Sequence, residues 1–231
     1  MTVRQRASAI GPAEQQRYTT VLTDLINSGA YGDLVRIHGD MRHDQHGSMG
    51  AAGVQRFLPW HRDFLLKLEQ QMQAIDGAAF IPYWRWSTDR VAPPWLANFM
   101  PSVAVPGRRN PLQVRRHIGR HGQLPLAVDV DALVNDTSLS YTEFTSQLES
   151  FHNDVHNYVG GTMGNIMISP ADPLFWLHHA EVDRLWSIWQ GQPANAGKTP
   201  TLTGPDLTLD PWPETAPQVL SIATLNYSYI P

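Results

Sequence analysis

The 231-residue chain contains no cysteine, so disulfides, catalytic thiolates and zinc–thiolate sites are excluded. It also lacks any apolar run near the ~20 residues that cross a membrane. The charged N-terminus, Met1–Arg6, is not followed by the apolar core of a signal peptide. We therefore expect a cytoplasmic protein without a membrane partner, although export together with another protein stays open.

Charge of either sign is scarce: charged residues make up 16% of the chain and the net charge is −4. The chain therefore has no basic excess of the kind that binds nucleic acid or anionic membranes. Hydrophobic residues reach 42%, an ordinary value for a soluble globular protein. The length suffices for a sizeable core, and we expect one domain over residues 1–231.

Five segments have the apolar spacing of helices that face a core. Pro12 begins the first segment, and Asp172 followed by Pro173 begins the last, as helix starts favour. The first two predicted helices run from Pro12 to Gly29 and from Tyr31 to Gly39. A glycine-rich loop (His46–Gly53) follows, and the third helix contains His61 and ends at Gly77. The last two helices begin at Ser140 and at Asp172, and the latter ends at about Gln190. Six prolines between residues 87 and 139 predict an irregular connection. The sequence thus predicts a mainly α fold with long irregular loops.

Histidines form two separated clusters. The first contains His38, His46 and His61, and the second contains His152, His156, His178 and His179. His152 and His156 lie one turn apart beside the apolar stripe of their helix, so they should be buried and need partners. Imidazole binds copper, zinc, iron and nickel. Two clusters that each offer three histidine ligands or more, without a cysteine or carboxylate ligand set, indicate paired coppers that react with dioxygen.

Two long motifs resemble the copper signatures of the tyrosinase family of type 3 copper proteins. They are Phe-Leu-Pro-Trp-His-Arg at residues 57–62 and Asp-Pro-Leu-Phe-Trp-Leu-His-His-Ala-Glu-Val-Asp-Arg-Leu-Trp at residues 172–186. The resemblance implies an antiparallel four-helix bundle that holds two copper ions, with dioxygen as co-substrate. Carried onto this chain, the copper A ligands would be His38, His46 and His61, and the copper B ligands His152, His156 and His179.

Two of these ligand assignments are choices between neighbouring histidines. In copper A, His46 is preferred over His43 because it lies closer to the Phe-Leu-Pro-Trp-His motif and is followed by Gly-Ser. In copper B, the family pattern places the ligand second in the pair His178–His179. The carboxylate of Asp183, four residues further on, would orient the imidazole of His179. His178 would then bond to the backbone or to a neighbouring side chain.

The resemblance also implies the chemistry: oxidation of ortho-diphenols to ortho-quinones and ortho-hydroxylation of monophenols, with a small phenol as substrate and a copper-delivery protein as a further partner. A base should help a phenol, whose pKa is about 10, to lose its proton. Glu143 and Asn153 look like the pair that holds an activating water in relatives. Ser140 and Glu143 equally have the spacing of a helix capping box. Ile166 and Met167 either line the substrate mouth or are loop residues that cover the core.

The nearest alternative is oxidation of ortho-aminophenols by the same coppers. A hemocyanin-like oxygen carrier is an alternative of another class, but carriers shield the site with an added domain or a large assembly. We expect neither here, nor a C-terminal domain that plugs the site, so the pocket should be open. A structural zinc protein fits two open histidine sets poorly.

Two further features lie outside these histidine sets. His117 and His121 have the spacing of a ligand pair, but the glycine and arginines around them favour an exposed basic loop over a third metal site. The resemblance also implies that Arg4 stacks on the tyrosines of the C-terminal tail, Tyr227 and Tyr229, because an arginine and a tyrosine motif join the chain ends in relatives; the alternative is two unrelated, mobile termini.

Overall fold

The computed structural model describes residues 1–230. Its α-helices are, in chain order, α1 (Pro12–Ser28), α2 (Ala30–His38), α3 (Ala51–Ile75), α4 (Ala127–Asn135), α5 (Tyr141–Val159) and α6 (Leu174–Gln190). Short strands pair at two places: β1 (Thr2–Arg4) runs parallel to β4 (Tyr227–Tyr229), and β2 (Ser102–Val103) antiparallel to β3 (Leu112–Gln113). The fold is mainly α with long irregular connections, as predicted. None of these helices is long and apolar enough to cross a membrane.

The helix ends follow the signals in the sequence at most places. Gly29 ends α1 in the left-handed conformation (φ 87°), and α2 starts at the next residue. Asp172 caps α6, because its Oδ1 accepts a hydrogen bond from the backbone N–H of Leu174 at 2.9 Å.

Two of the predicted boundaries are wrong. Residues 87–139 are not irregular throughout, since they include α4, whose Val130, Leu133 and Val134 are buried. All six prolines of this connection precede α4, so they mark only its first part. The loop predicted over residues 46–53 is also shorter, because α3 begins at Ala51.

The central helix α3 contains a proline, Pro59, in its interior. Proline has no N–H, so it leaves the carbonyl of Gln55, four residues earlier, without its helical donor. The hydroxyl of Tyr141 at the start of α5 donates to that carbonyl at 3.0 Å. The proline therefore creates a hydrogen bond that ties α3 to α5.

Aromatic side chains hold the helices that carry the histidines. Phe64 of α3 packs against Trp176 of α6 with ring centroids 4.6 Å apart. The indole N–H of Trp176 donates to the hydroxyl of Tyr31 on α2 at 2.8 Å. Each such buried ring contributes about 1.5–3 kcal/mol by leaving water. These contacts therefore hold α2, α3 and α6 against one another in the part of the core that contains the histidines.

The chain ends meet in a buried network that we name the terminal clasp: Arg4, Arg62, Glu69, Asp183, Tyr227 and Tyr229. Arg4 donates to both carboxylate oxygens of Glu69 at 3.0 Å, and its guanidinium lies 4.0 Å from the ring centroid of Tyr227. The hydroxyl of Tyr227 donates to Asp183 at 2.7 Å. The predicted contact between Arg4 and the tail tyrosines is confirmed, and strand pairing of β1 with β4 accompanies it.

Candidate metal centre

The first histidine group is assembled from α2, α3 and the loop between them. His38 is the last residue of α2, His61 lies in the middle of α3, and His46 lies in the connecting loop. The Nε2 atom of His38 is 3.3 Å from Nε2 of His46 and 3.4 Å from Nε2 of His61. All three rings are almost completely buried. Their nitrogens therefore converge on one point.

Gly53 allows His46 to reach this point. A Cβ at Gly53 would lie 2.0 Å from the carbonyl oxygen of His46, so only glycine lets the loop pack this closely on α3. Gln45 adds a second restraint, because its amide donates to the carbonyl of His38 at 2.7 Å. His43 lies outside the group and stacks on Trp60, with ring centroids 6.4 Å apart. The structure thus brings His46, and not His43, to the other two histidines.

The second group comes from α5 and α6. Nε2 of His152 is 3.2 Å from Nε2 of His179, and ligand atoms of His152, His156, His178 and His179 all lie within 4.8 Å of one another. The ring of His179 stacks on the ring of His61 with centroids 4.3 Å apart. The two histidine groups are therefore in direct contact.

The pair His178–His179 points in two directions from α6. His179 lies between the two groups, against His61 and Phe175. His178 stacks on His152 with ring centroids 4.9 Å apart and neighbours Trp86, on the side of the second group away from His61 and the first group. Among the described residues, neither ring nitrogen of His178 forms a hydrogen bond, so the partner predicted for it is absent. The position between the groups favours His179 as the ligand.

The tautomers of two histidines leave lone pairs that point inward. Nδ1 of His61 lies 2.8 Å from the carbonyl oxygen of Phe57, and Nδ1 of His156 lies 2.7 Å from that of Met163. A carbonyl only accepts, so each Nδ1 carries the proton and each Nε2 keeps its lone pair. Lone pairs that meet without a proton repel each other, and a cation between them removes that repulsion.

Burial keeps the imidazoles neutral, which is the form that binds a metal. Desolvation lowers the pKa of His156 to about 4 and, with the neighbouring imidazoles, lowers the pKa of His38, His61, His152 and His179 well below their usual range. Neutral nitrogen donors suit copper in both of its common oxidation states. The donor set therefore fits two copper ions, and we keep all six histidines as predicted ligands.

A cavity of about 310 Å³ opens onto the histidines. His38 and His46 from the first group and His152 and His156 from the second contribute to its wall. Asn153 and Ile166 also line it, whereas Met167, the second residue predicted at the mouth, lines a neighbouring groove. This copper pocket, as we name it, is large enough for one aromatic ring and opens to solvent.

The structure does not bring Glu143 to the copper pocket. Nine residues, or two and a half turns, separate it from His152, so the two side chains leave α5 on opposite faces. The exposed carboxylate of Glu143 accepts from the backbone N–H of Ser140 at 2.8 Å and from its hydroxyl at 2.6 Å. These hydrogen bonds lower the pKa of Glu143. The capping box is its observed role, and its predicted place beside Asn153 is wrong.

Glu149 is the carboxylate that sequence reasoning missed. It lies one turn before His152, on the same side of α5, and is mostly buried. Its oxygens accept from the backbone N–H of Gly47 at 2.9 and 3.2 Å, and Oε1 is 3.7 Å from Nδ1 of His46. Glu149 and Asn153 both line a second cavity of about 320 Å³ next to the copper pocket. The i, i+3 spacing from His152 was the available signal.

Asp183 does not orient His179, contrary to the sequence prediction. Its carboxylate accepts from Arg4, Arg62, Tyr227 and Tyr229 in the terminal clasp. Burial alone would raise the pKa of Asp183, but the guanidiniums of Arg62 and Arg4 lower it below its usual range. Nδ1 of His179 has no hydrogen-bond partner among residues 1–230. Asp183 thus holds α6 to the chain ends.

His117 and His121 lie in an exposed loop, as predicted, with ring centroids 6.5 Å apart. The part of the chain that the structure describes places them in neither histidine group.

Comparison with known proteins agrees with this geometry. A model of the common central domain of tyrosinase matches residues 28–116 and 110–192. The tyrosinase of Streptomyces galbus is 32% identical over 99% of both chains. A functional unit of octopus hemocyanin, at 21% identity, has the same fold with a TM-score of 0.78 and is covered over 68% of its length by this chain. A copper-bound tyrosinase from Aspergillus oryzae, at 17% identity, gives a TM-score of 0.72 and is covered over 92%. The family model and the relatives matched over nearly their whole length agree with the two histidine groups. The chain therefore belongs to the tyrosinase family, whose members use two copper ions.

Proposed function

We propose that the protein is a copper polyphenol oxidase that oxidises ortho-diphenols to ortho-quinones with dioxygen and also hydroxylates monophenols. The observation that carries this proposal is the pair of touching histidine groups at the wall of an open pocket. Copper held by these histidines would supply the electron transfer between the phenol and dioxygen. The names of the full-length Streptomyces relatives support an enzyme of this class.

The chain's own residues position the substrate and the imidazoles. Asn153 lies at the junction of the two cavities, and its Oδ1 is 3.1 Å from Nδ1 of His152, so it fixes the tautomer of that ring. The surrounding wall of Met163, Gly164 and Ile166 leaves room for a flat ring and offers it no charged side chain.

Monophenol hydroxylation needs a proton acceptor near the copper pocket. We assign this role to Glu149, with Asn153 as the second group that holds a water. Glu149 is nearly buried, adjoins His46 and lines the cavity that Asn153 shares with the copper pocket. A water between the two side chains would take the phenol proton, which a positioned base can accelerate by about 10²–10⁴-fold.

One experiment separates the candidate activities. The copper-loaded protein is assayed on a catechol, on the matching monophenol and on an ortho-aminophenol, with copper counted per chain. We expect two coppers, a fast catechol reaction and a slower monophenol reaction. One copper, or a tight preference for zinc, would contradict the dinuclear centre. Reversible oxygen binding without turnover would favour the hemocyanin-like carrier, and turnover of the aminophenol alone would favour that oxidase.

A further inference from the structure

One segment of the chain carries positive charge and contains no acidic residue. Between Asp89 and Asp129 the sequence contains no acidic residue but six arginines. Two are engaged, because Arg116 pairs with Asp172 and Arg90 donates to backbone carbonyls. The other four, Arg108, Arg109, Arg115 and Arg120, are exposed. None of these four forms an ion pair within residues 1–230.

Two of the free arginines line a groove of about 460 Å³, which we name the basic groove. Arg108, Arg115 and His117 form one side of it, and Thr162 and Asn165 contribute the other. All of these side chains can donate hydrogen bonds, and the part of the chain described here adds no carboxylate to the lining. Guanidinium groups bind carboxylates through two parallel hydrogen bonds. The groove therefore has the chemistry of a carboxylate site.

A single loop separates the basic groove from the copper pocket. Met163, Gly164 and Ile166 face the copper pocket, whereas Thr162 and Asn165 face the groove. The loop is fixed to the arginine segment, because Thr162 and Arg115 exchange hydrogen bonds of 2.8 and 2.9 Å. A molecule bound at the histidines therefore lies one loop away from Arg115.

The copper pocket cannot itself select substrates by charge, since none of its lining residues is aspartate, glutamate, lysine or arginine. Selection must come from its neighbours. Glu149 on one side is mostly buried and already accepts from Gly47. In the groove beside Met167, Arg42 pairs with Asp40, and Arg36 pairs with Asp33 at 3.9 Å. The free arginines of the basic groove are then the charges available to a substrate.

We propose that the enzyme prefers phenols that carry a carboxylate tail, with the phenol in the copper pocket and the carboxylate on Arg108 and Arg115 in the basic groove. This inference rests on the proposed polyphenol oxidase activity. The tail contact is the same before and during the reaction, so it should lower KM and leave kcat nearly unchanged.

The test compares 3-(3,4-dihydroxyphenyl)propionate with its neutral amide and with 4-methylcatechol. In the wild-type enzyme we expect kcat/KM of the carboxylate to exceed that of the amide about tenfold, the scale of effect that exposed ion pairs allow. The double variant Arg108→Gln/Arg115→Gln should lose this advantage through KM. High ionic strength should weaken it in the wild type.

The matched control is Arg109→Gln/Arg120→Gln, which removes the same charge from the same segment at positions that do not line the groove. It should keep most of the carboxylate preference. Equal loss in both double variants, or no preference in the wild type, would overturn the groove assignment. Failure to oxidise 4-methylcatechol would instead contradict the proposed function, so the two failures are distinguishable.

Discussion

The histidine groups and the terminal clasp are both clusters of buried polar side chains that draw on α3 and α6, yet their hydrogen bonding is opposite. In the clasp, the carboxylate of Asp183 accepts from four side chains. In the first histidine group, Nε2 of His38 lies 3.3 Å from Nε2 of His46 and 3.4 Å from Nε2 of His61, with too few protons to pair them. A buried polar group without a partner costs about 1–3 kcal/mol.

This difference distinguishes buried polar residues that stabilise the fold from buried polar residues that bind a cation. The clasp is complete within the chain, so its contribution is to hold β1, β4, α3 and α6 together. The histidine groups are complete only when a cation accepts their lone pairs. Adjacent residues can belong to the two different clusters, as His61 and Arg62 do on α3.

The largest expected effect comes from removing one imidazole. The variant His179→Ala should lose one copper and nearly all turnover, because the second group then keeps too few inward lone pairs. The variant His178→Ala should keep two coppers, since its ring packs on His152 and Trp86, whereas His179 is the ring that stacks on the first group. Metal analysis and catechol oxidation measure both. The same comparison for His46→Ala and His43→Ala tests the first group, and a reversed result in either pair would show that the wrong neighbour was chosen.

Breaking the clasp should affect stability and not chemistry. The variant Asp183→Asn leaves the buried guanidiniums of Arg4 and Arg62 without their shared counter-charge. We expect a loss of about 3–5 kcal/mol in the free energy of unfolding, measured by chemical denaturation. Turnover per bound copper should change little at a temperature where the variant stays folded.

The control for the clasp is Asp206→Asn. Asp206 has an exposed side chain and lies 3.9 Å from Arg56. Its replacement should cost less than about 1 kcal/mol. A comparable loss in the free energy of unfolding in the two variants would mean that the buried clasp stabilises the fold no more than an exposed ion pair does.

A third variant addresses the carboxylate beside the pocket. The variant Glu149→Gln should lower the monophenol rate about 10²-fold or more, because a neutral amide cannot take the phenol proton. Its oxygen can still accept from Gly47, so the loop of His46 should stay in place. The catechol rate should change little. Equal losses on both substrates, with two coppers bound, would show that Glu149 is not a selective acceptor.

The sequence predicted what depends on local pattern. The helix starts at Pro12, Ser140 and Asp172 and the inward position of His152 follow from capping residues and from a period of 3.6. The histidine motifs and their resemblance predicted the family, which the comparisons confirm. The contact of Arg4 with the tail tyrosines also came from that resemblance.

What the sequence could not give depends on tertiary geometry. Glu143 and Glu149 lie on the same helix, and only the direction in which each side chain leaves α5 decides which one adjoins His46. Asp183 has the right spacing to support His179, but the arginines that engage it come from residues 4 and 62, far away in sequence. Partners of this kind cannot be read from neighbouring positions.

The smallest expected effect tests the role that the structure gives to Glu143. The variant Ser140→Ala removes the side-chain acceptor at the start of α5 and should cost about 1 kcal/mol of stability. Glu143→Gln should cost less, since glutamine can also complete a capping box. In the double variant Ser140→Ala/Glu143→Ala the second change should add little, because the reciprocal box is already broken and effects of contacting residues are not additive. The rates of catechol oxidation and of monophenol hydroxylation, each per bound copper, should stay at the wild-type level in all of these variants. A selective loss of monophenol hydroxylation in Glu143→Gln would return the proton acceptor to Glu143, and would require α5 to present a different face to the copper pocket from the one described here.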